Sequence, residues 1–580
     1  MSVGPADGDP AARWEFPPAG RGGRTLATAL LAISLALNLV VVLLVHRGRV
    51  SHILTVLWLF SIVYFLLSAG GRPRFSWSRM RPTKKTVLAT VVVLLPAVVR
   101  IAHMDADRVH GDELMTAYFS THHDFRHTSF FEPMPDRADW VSQFPKPFFV
   151  LQRWFFEVAG KSLAAVWFST LPYVVLVSAL LYRVVRELLG RATAVIAVVL
   201  YAFFAPSVYL EVSGFHFISS TAAFLGFFYF AVRSLRAGSP APAAATGVLA
   251  GFCYLFYSSS YIAIPVFVVV ALFDLVRRRS LGVVFGNLAI ALLGCWIVLS
   301  PFLAKPETAG YLFQRSSQVS LLTGEWSGNR EAIARGADPL PIIRANLLLA
   351  LKSMTRDGIG GHGGYDFGRL AFFDPLSLGF LLAGAGAAIF LVRRAPEVLL
   401  VFVVIAASFV GGVVLTIPPP AYHRFSLAFP FLVIVMALPF SLLLRARWLS
   451  SPIRGAVAAG CMLLFASVNV DRVAQARLGD RFSDDLRLAR FIDQRYPARK
   501  LYVAAFPSYA FEKLYFFLKK PGIKRRIQTS FHADLLRSFD RREKYVYAFT
   551  LPPAFSAQFL AADPAGKLYR FSIGYGLFAN

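Results

Sequence analysis

Long blocks of apolar residues recur along most of this 580-residue chain, and they constrain its fold more than any other feature. A helix of about 20 apolar residues crosses the hydrocarbon core of a bilayer, and fewer suffice where basic side chains at its ends reach the interface. The blocks that are candidates for such helices cover residues 27–45, 53–70, 86–102, 164–182, 193–210, 217–232, 243–257, 261–276, 281–302, 376–392, 397–416, 425–444 and 454–470. The sequence therefore predicts an all-α polytopic membrane protein with about 13 transmembrane helices.

Composition and charge exclude other classes of protein. Hydrophobic residues make up 56% of the chain and charged residues only 16%, whereas soluble domains average about 45–50% and about 25%. A soluble enzyme, a disordered tail and a fibrous repeat are therefore excluded. In a soluble protein the formal net charge of +27 would suggest nucleic acid. Here the basic residues collect at helix ends, where they set topology and meet anionic headgroups, so we expect membrane lipids as partners and no nucleic acid.

The distribution of Lys and Arg predicts the orientation in the membrane. If the N-terminus is cytoplasmic, the short inner loops carry nineteen basic residues and the short outer loops carry three, as the positive-inside rule requires. This pattern predicts a protein of the bacterial inner (plasma) membrane whose C-terminus is extracytoplasmic. Only Ser258–Ser260 separate spans 243–257 and 261–276. If these two blocks formed one span, the orientation of everything downstream would be reversed.

The spans and loops divide the chain into seven parts. They are a cytoplasmic leader (1–26), three spans (27–102), a first extracytoplasmic loop (103–163), spans four to nine (164–302), a second, glycine-rich extracytoplasmic loop (303–375), spans ten to thirteen (376–470) and a C-terminal extracytoplasmic domain (471–580).

The last part has the pattern of a small α/β domain. Helical apolar spacing over Asp484–Arg495 precedes two apolar runs, Leu501–Ala505 and Tyr545–Phe549, that are typical of strands. A basic stretch, Lys519–Arg526, lies between these runs. It is either a solvated turn or a contact with lipid phosphates or an anionic acceptor.

Polar residues crowd together soon after the third span. Asp112 and Glu113 are adjacent, and five of the eleven histidines, His110 among them, lie within 25 residues. Carboxylates at a membrane boundary are costly to desolvate, so they usually have a partner or a task. A carboxylate can act as general base on an attacking hydroxyl, and His with Asp can bind a divalent metal. The histidine spacing matches no short zinc motif, so a metal stays open, with placement on interfacial helices as the alternative.

The order of motifs around the acidic pair resembles a known family. Gly111-Asp112-Glu113 follows a span, Phe144-Pro145-Lys146-Pro147-Phe148 forms a turn, and Gly160-Lys161-Ser162 precedes the next span. Late in the chain, Pro418–Phe425 leads to Phe429-Pro430 within a span. This order resembles the C-type (GT-C) glycosyltransferases, in particular the branch of the protein O-mannosyltransferases and the lipid A aminoarabinose transferases. The resemblance covers roughly residues 86–240 and 397–445.

The resemblance implies a GT-C-like fold and a reaction. The donor would be a polyprenyl-monophosphate sugar, the acceptor would approach from the extracytoplasmic face, and the sugar would move in one inverting displacement at the anomeric carbon. Asp112 would deprotonate or orient the acceptor hydroxyl, with Glu113 as the neighbour that tunes it. Lys146 and Arg424 would bind the donor phosphate, because a guanidinium fits phosphate oxygens in a bidentate way. Ordinary snorkelling at a helix end is the alternative role for Arg424.

The chain departs from the family pattern at two places. The turn around Lys146 lacks the Glu that usually precedes the Lys, and no acid lies at the start of the span near residue 217. Glu211 and His216 lie close by in sequence and are candidates to substitute for the second catalytic acid, whose position stays open.

The second outer loop ends in a glycine-rich stretch, Asp357–Arg369. Six glycines within eleven residues cannot hold a helix. The stretch also lacks the strand-to-helix context of a nucleotide-binding loop. It is either a mobile lid, in which His362, Asp366 or Arg369 touches substrate, or a plain flexible linker. Arg369 is then a further candidate for binding the donor phosphate.

Functions of two other classes stay open. A transporter or flippase would need charged residues in mid-membrane at a repeat interface, and the span interiors contain few. A non-catalytic subunit of an envelope glycan assembly complex would keep the fold and would not need Asp112. The sequence identifies neither the sugar nor the acceptor, for which a protein, a lipid and a glycan are the alternatives.

Overall fold

A computed structural model describes most of the membrane part and the strands of the C-terminal part. The described residues are 21–49, 51–70, 84–104, 111–122, 130–131, 146–237, 240–278, 281–361, 365–417, 420–446, 448–479, 484–496, 499–504, 524–526, 545–549, 566–570 and 576–579.

Helices dominate the described chain up to residue 496. They are α1 Arg21–His46, α2 His52–Gly70, α3 Lys84–Ala102, α4 Gly111–His122, α5 Pro147–Ala159, α6 Leu163–Phe168, α7 Leu171–Leu189, α8 Arg191–Phe203, α9 Ala205–Glu211, α10 Phe217–Ala237, α11 Pro240–Cys253, α12 Ala263–Arg278, α13 Leu281–Leu299, α14 Pro306–Val319, α15 Arg330–Ala334, α16 Pro339–Thr355, α17 Pro375–Leu391, α18 Val398–Phe409, α19 Tyr422–Phe425, α20 Phe429–Arg445, α21 Ser451–Gly479 and α22 Asp484–Arg495. Tighter 3₁₀ turns cover Ser258–Ile262, Phe367–Arg369 and Ser426–Ala428, and a π-helical turn covers Val410–Val414.

Each predicted span coincides with apolar helix in the described chain. Eight helical stretches are long and apolar enough to cross a membrane, and the bent pair α8 and α9 makes a ninth. The remaining predicted spans fall on the shorter apolar helices Thr86–Ala102, Pro240–Cys253, Pro375–Leu391 and Val398–Val414. The chain is therefore an integral membrane protein with an all-α, polytopic membrane part. The two spans whose separation was in question are separate helices, α11 and α12.

Five short strands follow the helices and form one mixed sheet. They are β1 Lys500–Ala504, β2 Lys524–Arg526, β3 Tyr545–Phe549, β4 Lys567–Arg570 and β5 Gly576–Ala579, in the order β2-β1-β3-β5-β4. β1 pairs in parallel with β2 and β3, with Leu501 opposite Lys524 and Val546, whereas β5 pairs antiparallel with β3 and β4. The two runs predicted as strands are β1 and β3. The last residues of the predicted basic stretch form β2, at an edge of the sheet, and its first part (519–523) lies outside the described residues.

The fifth predicted span, 193–210, is broken into two helices. α8 and α9 meet at an angle of 59°. Phe204 between them has extended backbone (φ −60°, ψ 109°), and Pro206 in the first turn of α9 has no N–H to donate to α8. The freed N–H of Ala205 donates to Oδ1 of Asn469 in α21 at 2.9 Å. A backbone group freed inside a membrane protein needs such a partner, because no water can replace it.

Arg100, near the end of α3, binds the other side of this break. Its guanidinium donates to the carbonyl oxygens of Tyr201 (3.3 Å) and Ala202 (2.8 Å) at the end of α8, and to the hydroxyl of Ser207 (2.6 Å) in α9. It also forms an ion pair of 2.8 Å with Glu211, and both side chains are 0% exposed. The Tyr201 hydroxyl donates to both carboxylate oxygens of Glu211, at 2.9 and 2.8 Å. This network joins α3 to both halves of the broken span.

Small residues let α11 and α13 approach each other closely. A Cβ on Gly247 would lie 1.9 Å from the carbonyl oxygen of Ala291, and one on Gly251 would lie 2.6 Å from the Cβ of Val298. Membrane helices associate through such close packing, because lipid tails are as apolar as the helices themselves. The pair also holds α2 in place, since the indole N–H of Trp58 donates to the carbonyl oxygen of Val298 at 3.2 Å.

Removing one partner of the buried ion pair should destabilise the protein strongly. Glu211→Ala leaves the Arg100 guanidinium buried without its carboxylate, which costs about 3–5 kcal/mol. Glu157→Ala is the matched control, because Glu157 is 53% exposed and pairs with Arg153 on one helix face, where such pairs contribute about 0.3–0.5 kcal/mol. The measurement is the midpoint of thermal unfolding of each purified variant in detergent. Equal midpoints for the two variants would contradict the importance assigned to the network.

Candidate active site

Asp112 lies in the first turn of α4 and is half-buried. Its Oδ2 accepts a hydrogen bond of 2.6 Å from the hydroxyl of Tyr365, at the end of the glycine-rich stretch. Burial, and then the Asp112 carboxylate, raise the pKa of Tyr365 well above its usual value, so the phenol stays protonated and acts as donor. Asp112 is thus oriented by a buried donor while its own carboxylate stays partly exposed.

The neighbouring acid, Glu113, has different surroundings. It is 1% exposed, and its Oε1 accepts a hydrogen bond of 2.7 Å from the N–H of Gly214. Gly214 lies in the connection between α9 and α10, and a Cβ there would lie 2.2 Å from Cγ1 of Val166. A larger residue than glycine would therefore displace this connection from Glu113. Asp112 contacts the glycine-rich stretch, whereas Glu113 supports the chain that leads into α10.

His216, at the end of the same connection, is buried among aromatic rings. Its ring centroid is 5.0 Å from that of Tyr257 and 6.0 Å from that of Phe148. Burial lowers the pKa of His216 to about 3, the positive charge of Arg315 acts in the same direction, and Asp112 opposes them. His216 is therefore a neutral imidazole at neutral pH, within electrostatic reach of Asp112 and Arg315.

His423 extends this wall of rings on the other side. It is 5% exposed, and its ring centroid is 3.9 Å from that of Tyr365 and 6.2 Å from that of Tyr257. The ring of Phe217 lies 6.3 Å away from it. Tyr365 is therefore held by packing as well as by its hydrogen bond to Asp112.

Two arginines are buried in the same region. Arg424 is 4% exposed, its Nη1 donates to the carbonyl oxygen of Ile417, and its Nε has no hydrogen-bond partner within the described residues. Arg315 in α14 is 7% exposed, with its guanidinium 4.4 Å from the ring centre of Trp326. Burial lowers the pKa of Arg315, with Arg424 adding to the effect and Asp112 opposing it. Two buried guanidinium groups therefore lie within electrostatic reach of each other here, an arrangement suited to an anion such as phosphate.

Lys146 enters this region from the first outer loop. It is 1% exposed and immediately precedes α5, which begins at Pro147. The next two residues, Phe148 and Phe149, place their rings 6.0 and 6.2 Å from His216. The start of α5 therefore packs beside His216, and the phosphate-binding role of Lys146 stays a prediction.

The described part of the glycine-rich stretch is packed against its neighbours. Oδ2 of Asp366, a residue that is 7% exposed, accepts a hydrogen bond of 2.9 Å from the N–H of Gly361. A Cβ on Gly361 would lie 2.0 Å from the carbonyl oxygen of Pro420. Arg369 is exposed to solvent, unlike Arg315. Asp366 thus closes the stretch on itself, and Arg369 is the most accessible of the predicted phosphate-binding residues.

Glu211 stands apart from this cluster. Both carboxylate oxygens of Glu211 are bonded within the network of Arg100 and Tyr201, and its side chain is 0% exposed. Burial and pairing favour a structural role for Glu211 over the catalytic role predicted for it. His110 and His362 lie outside the described residues. Within the described ranges, no group of three or more His, Cys, Asp or Glu side chains is placed to hold a metal ion.

The segments that build the site come from one end of the helical bundle. In chain order, Asp112 follows the third predicted span, Gly214 the fifth, Tyr365 the ninth and His423 the eleventh, and Tyr257 is the last residue of the seventh. In a bundle whose helices alternate in direction, these ends share one face. The hydrogen bond between Asp112 and Tyr365 requires an even number of crossings between them, which agrees with separate crossings by α11 and α12.

Comparison with known proteins found one matching family model and structures with a similar fold. The family model of dolichyl-phosphate-mannose-protein mannosyltransferases matches residues 145–304. ArnT from Cupriavidus metallidurans bound to undecaprenyl phosphate is 15% identical, with 86% of this chain and 98% of that chain covered and a TM-score of 0.54. Its apo structure is 14% identical over the same shares, with a TM-score of 0.56. No curated protein matches the sequence.

This chain has the GT-C glycosyltransferase fold. The likeness to ArnT extends over most of both chains, and the family match includes Lys146, Glu211, Gly214 and His216. The resemblance inferred from the motifs is therefore confirmed. Asp112 lies outside the matched residues and within the first loop that the motifs identified.

Residues that surround Asp112 were missed by sequence reasoning. Tyr365 and Arg315 carry no motif, and they reach Asp112 only because distant loops meet at one end of the bundle. Tyr257 acts on both of these residues. Tyr365 lies within the glycine-rich stretch that had been singled out for other residues, and His423 directly precedes Arg424. The position of His423 beside a predicted phosphate-binding arginine was the local sequence signal that could have identified it as a site residue.

Replacing His216 with Phe should flatten the acid dependence of stability. The folded pKa of about 3 lies below the unfolded value of about 6.5, so the unfolded chain binds more protons between them. The wild type should therefore lose stability as the pH falls from about 6.5 towards 3, and His216→Phe should lose less, because Phe packs among the same rings without titrating. Unfolding midpoints in detergent across that range measure the effect. The exposed His52 provides the control: His52→Phe should keep the wild-type dependence, and an equally steep loss in His216→Phe would contradict the assignment.

Proposed function

We propose that this protein is a membrane glycosyltransferase that moves a sugar from a polyprenyl-monophosphate donor to an acceptor on the extracytoplasmic face. One observation carries the proposal: a half-buried carboxylate, Asp112, lies within electrostatic reach of the buried guanidinium group of Arg315, on which the buried Arg424 also acts. A base that a substrate can reach and an anion site are the two parts that such a transfer needs. The fold shared with an ArnT that binds undecaprenyl phosphate supports the lipid part of the donor.

The chemistry follows from these groups. Asp112 accepts the proton of the acceptor hydroxyl, and the acceptor oxygen attacks the anomeric carbon of the donor. The bond between that carbon and the phosphate oxygen breaks, and its electron pair leaves with polyprenyl phosphate. A single displacement inverts the anomeric configuration. Arg315 and Arg424 stabilise the charge that develops on the leaving phosphate, and Tyr365 keeps Asp112 in its orientation.

The proposed topology puts this site on the outer face of the bacterial inner membrane. The N-terminus is then cytoplasmic and the C-terminal sheet extracytoplasmic, as the distribution of Lys and Arg predicts. The site segments all follow odd-numbered predicted spans, which is the outer side in that orientation. The acceptor is a protein, lipid or glycan hydroxyl group that reaches the site from that side.

Asp112→Asn should abolish most of the transfer activity. Loss of a general base costs about 10²–10⁴ in rate, so we expect at least a hundredfold loss. Purified wild type and variant are incubated with a panel of polyprenyl-phosphate sugars and candidate acceptors, and the release of polyprenyl phosphate is followed by mass spectrometry, which also identifies the sugar. Asp338→Asn is the control, because Asp338 is an exposed residue of the second outer loop. Equal release by wild type and Asp112→Asn would reject Asp112 as the base, and binding without release in wild type would favour a non-catalytic subunit.

Arg424→Gln should weaken donor use more than acceptor use. A hydrogen bond to a charged group contributes about 1.5–3 kcal/mol, so we expect the KM for the donor to rise by roughly 10- to 100-fold while the KM for the acceptor stays within about twofold. Arg356→Gln provides the control, since Arg356 is exposed at the end of α16 in the second outer loop. If the KM for the donor were unchanged in Arg424→Gln, phosphate binding by this arginine would be rejected, and snorkelling at the helix end would remain as its role.

A further inference from the structure

Three consecutive residues just after Tyr365 have a left-handed backbone. The φ angles are 55° at Phe367, 65° at Gly368 and 61° at Arg369. Glycine accepts this conformation, but a larger residue is strained there and persists only where its surroundings impose it. Phe367 is 0% exposed. A strained turn thus lies within four residues of the side chain that orients Asp112, and something must hold it.

Arg472, near the end of α21, holds this turn. Its guanidinium lies 5.4 Å from the ring centre of Phe367, donates to the carbonyl oxygen of Ala371, and lies 3.8 Å from Oδ2 of Asp374. The Arg472 side chain is only 12% exposed. One side chain therefore contacts the start of the strained turn, the chain just after it, and the residue that caps α17.

Backbone packing adds a second contact between the turn and α21. A Cβ on Gly368 would lie 2.9 Å from the carbonyl oxygen and 3.0 Å from the Cα of Ala476. On the opposite side, the ring of Phe367 packs edge-on against Tyr209 of α9, with centroids 5.1 Å apart. The turn is thus enclosed between the end of α21 and the second half of the broken span.

We propose that Arg472 is a positioning residue: by holding the left-handed turn, it sets the Tyr365 hydroxyl against Asp112. The part that concerns catalysis rests on the proposed function of Asp112. Arginine suits this task because its planar guanidinium stacks on a ring and donates in several directions at once, whereas lysine keeps only the charge. Since α21 leads on to α22 and the sheet, a shift of this helix end would reach the site through Tyr365.

Hydrogen exchange tests whether Arg472 holds the left-handed turn, which we call the clamp, without any assay of sugar transfer. Exchange is measured by mass spectrometry on the full-length protein in detergent, in peptides that cover residues 365–371 and 111–122. We expect both peptides to exchange at least about tenfold faster in Arg472→Met than in wild type, with Arg472→Lys in between. Arg454→Met is the control, because Arg454 donates to the carbonyl oxygen of Leu444 from the opposite end of α21, and it should change neither peptide. Wild-type exchange of residues 365–371 in Arg472→Met would overturn the proposal.

Kinetics then test whether Arg472 acts through Tyr365. Arg472→Met should lower kcat about tenfold and leave the KM for the donor within about twofold, because it removes orientation of Asp112 and no donor contact. Added to Tyr365→Phe, it should lower kcat no further, since both changes remove the same hydrogen bond. If the double variant lost kcat by the product of the two single losses, the two residues would act independently and the proposal would be overturned. If wild type uses no donor at all, the proposed function fails, and the exchange experiment still decides on the clamp.

A glycine variant provides an independent test in case Arg472→Met does not fold. Gly368→Ala drives a Cβ into Ala476 and so separates the turn from α21. It should accelerate exchange of residues 365–371 as Arg472→Met does. Gly336→Ala is its matched control, because Gly336 also has a positive φ, of 89°, with nothing within 4 Å of an added Cβ. If the two glycine variants exchanged alike in residues 365–371, contact with α21 would not be what holds the turn.

Discussion

The rest of this structure depends on the buried contact of Arg100 with Glu211 and with the end of α8. The break at Phe204 leaves carbonyl groups of α8 without helical partners in a region where water cannot serve them. Arg100 supplies the donors, and Glu211 neutralises the charge that this requires. A buried ion pair gains little over an apolar core of the same shape, so its value here is the geometry it permits. The bend turns α9 so that the connection after it reaches α4.

That geometry divides two tasks between Asp112 and Glu113. A group that supports the fold must be buried and fixed, whereas a group that meets substrate must stay accessible. Glu113 is 1% exposed and holds the Gly214 connection, while Asp112 is half-buried and takes its orientation from Tyr365. A single carboxylate could not meet both requirements. The two adjacent acids suggested two catalytic groups in the sequence. In the structure, Glu113 supports the fold and Asp112 is the accessible carboxylate.

The features that sequence could predict are those that local pattern determines. Apolar length predicted the membrane class and the helices, and the position of Asp112 just after α3 followed from them. The break at Phe204 was not predicted, although Pro206 was visible, because one proline does not say whether a partner such as Asn469 will accept a freed N–H. Tyr365 lies 253 residues from Asp112, and no local pattern links them. Glu211 was predicted as a candidate for the second catalytic acid, and no local pattern shows that its carboxylate pairs with Arg100.

The site is built on connections between helices, and such connections move unless they are held. Polar contacts from neighbouring parts hold them: Glu113 binds Gly214, Tyr365 binds Asp112, and Arg472 binds the turn after Tyr365. These contacts form a series that begins at the broken span and ends on α21. The strain at Phe367 shows that the last of them works against the preference of the backbone. A relaxed turn would need no clamp, and it would also leave the Tyr365 hydroxyl free to move away from Asp112.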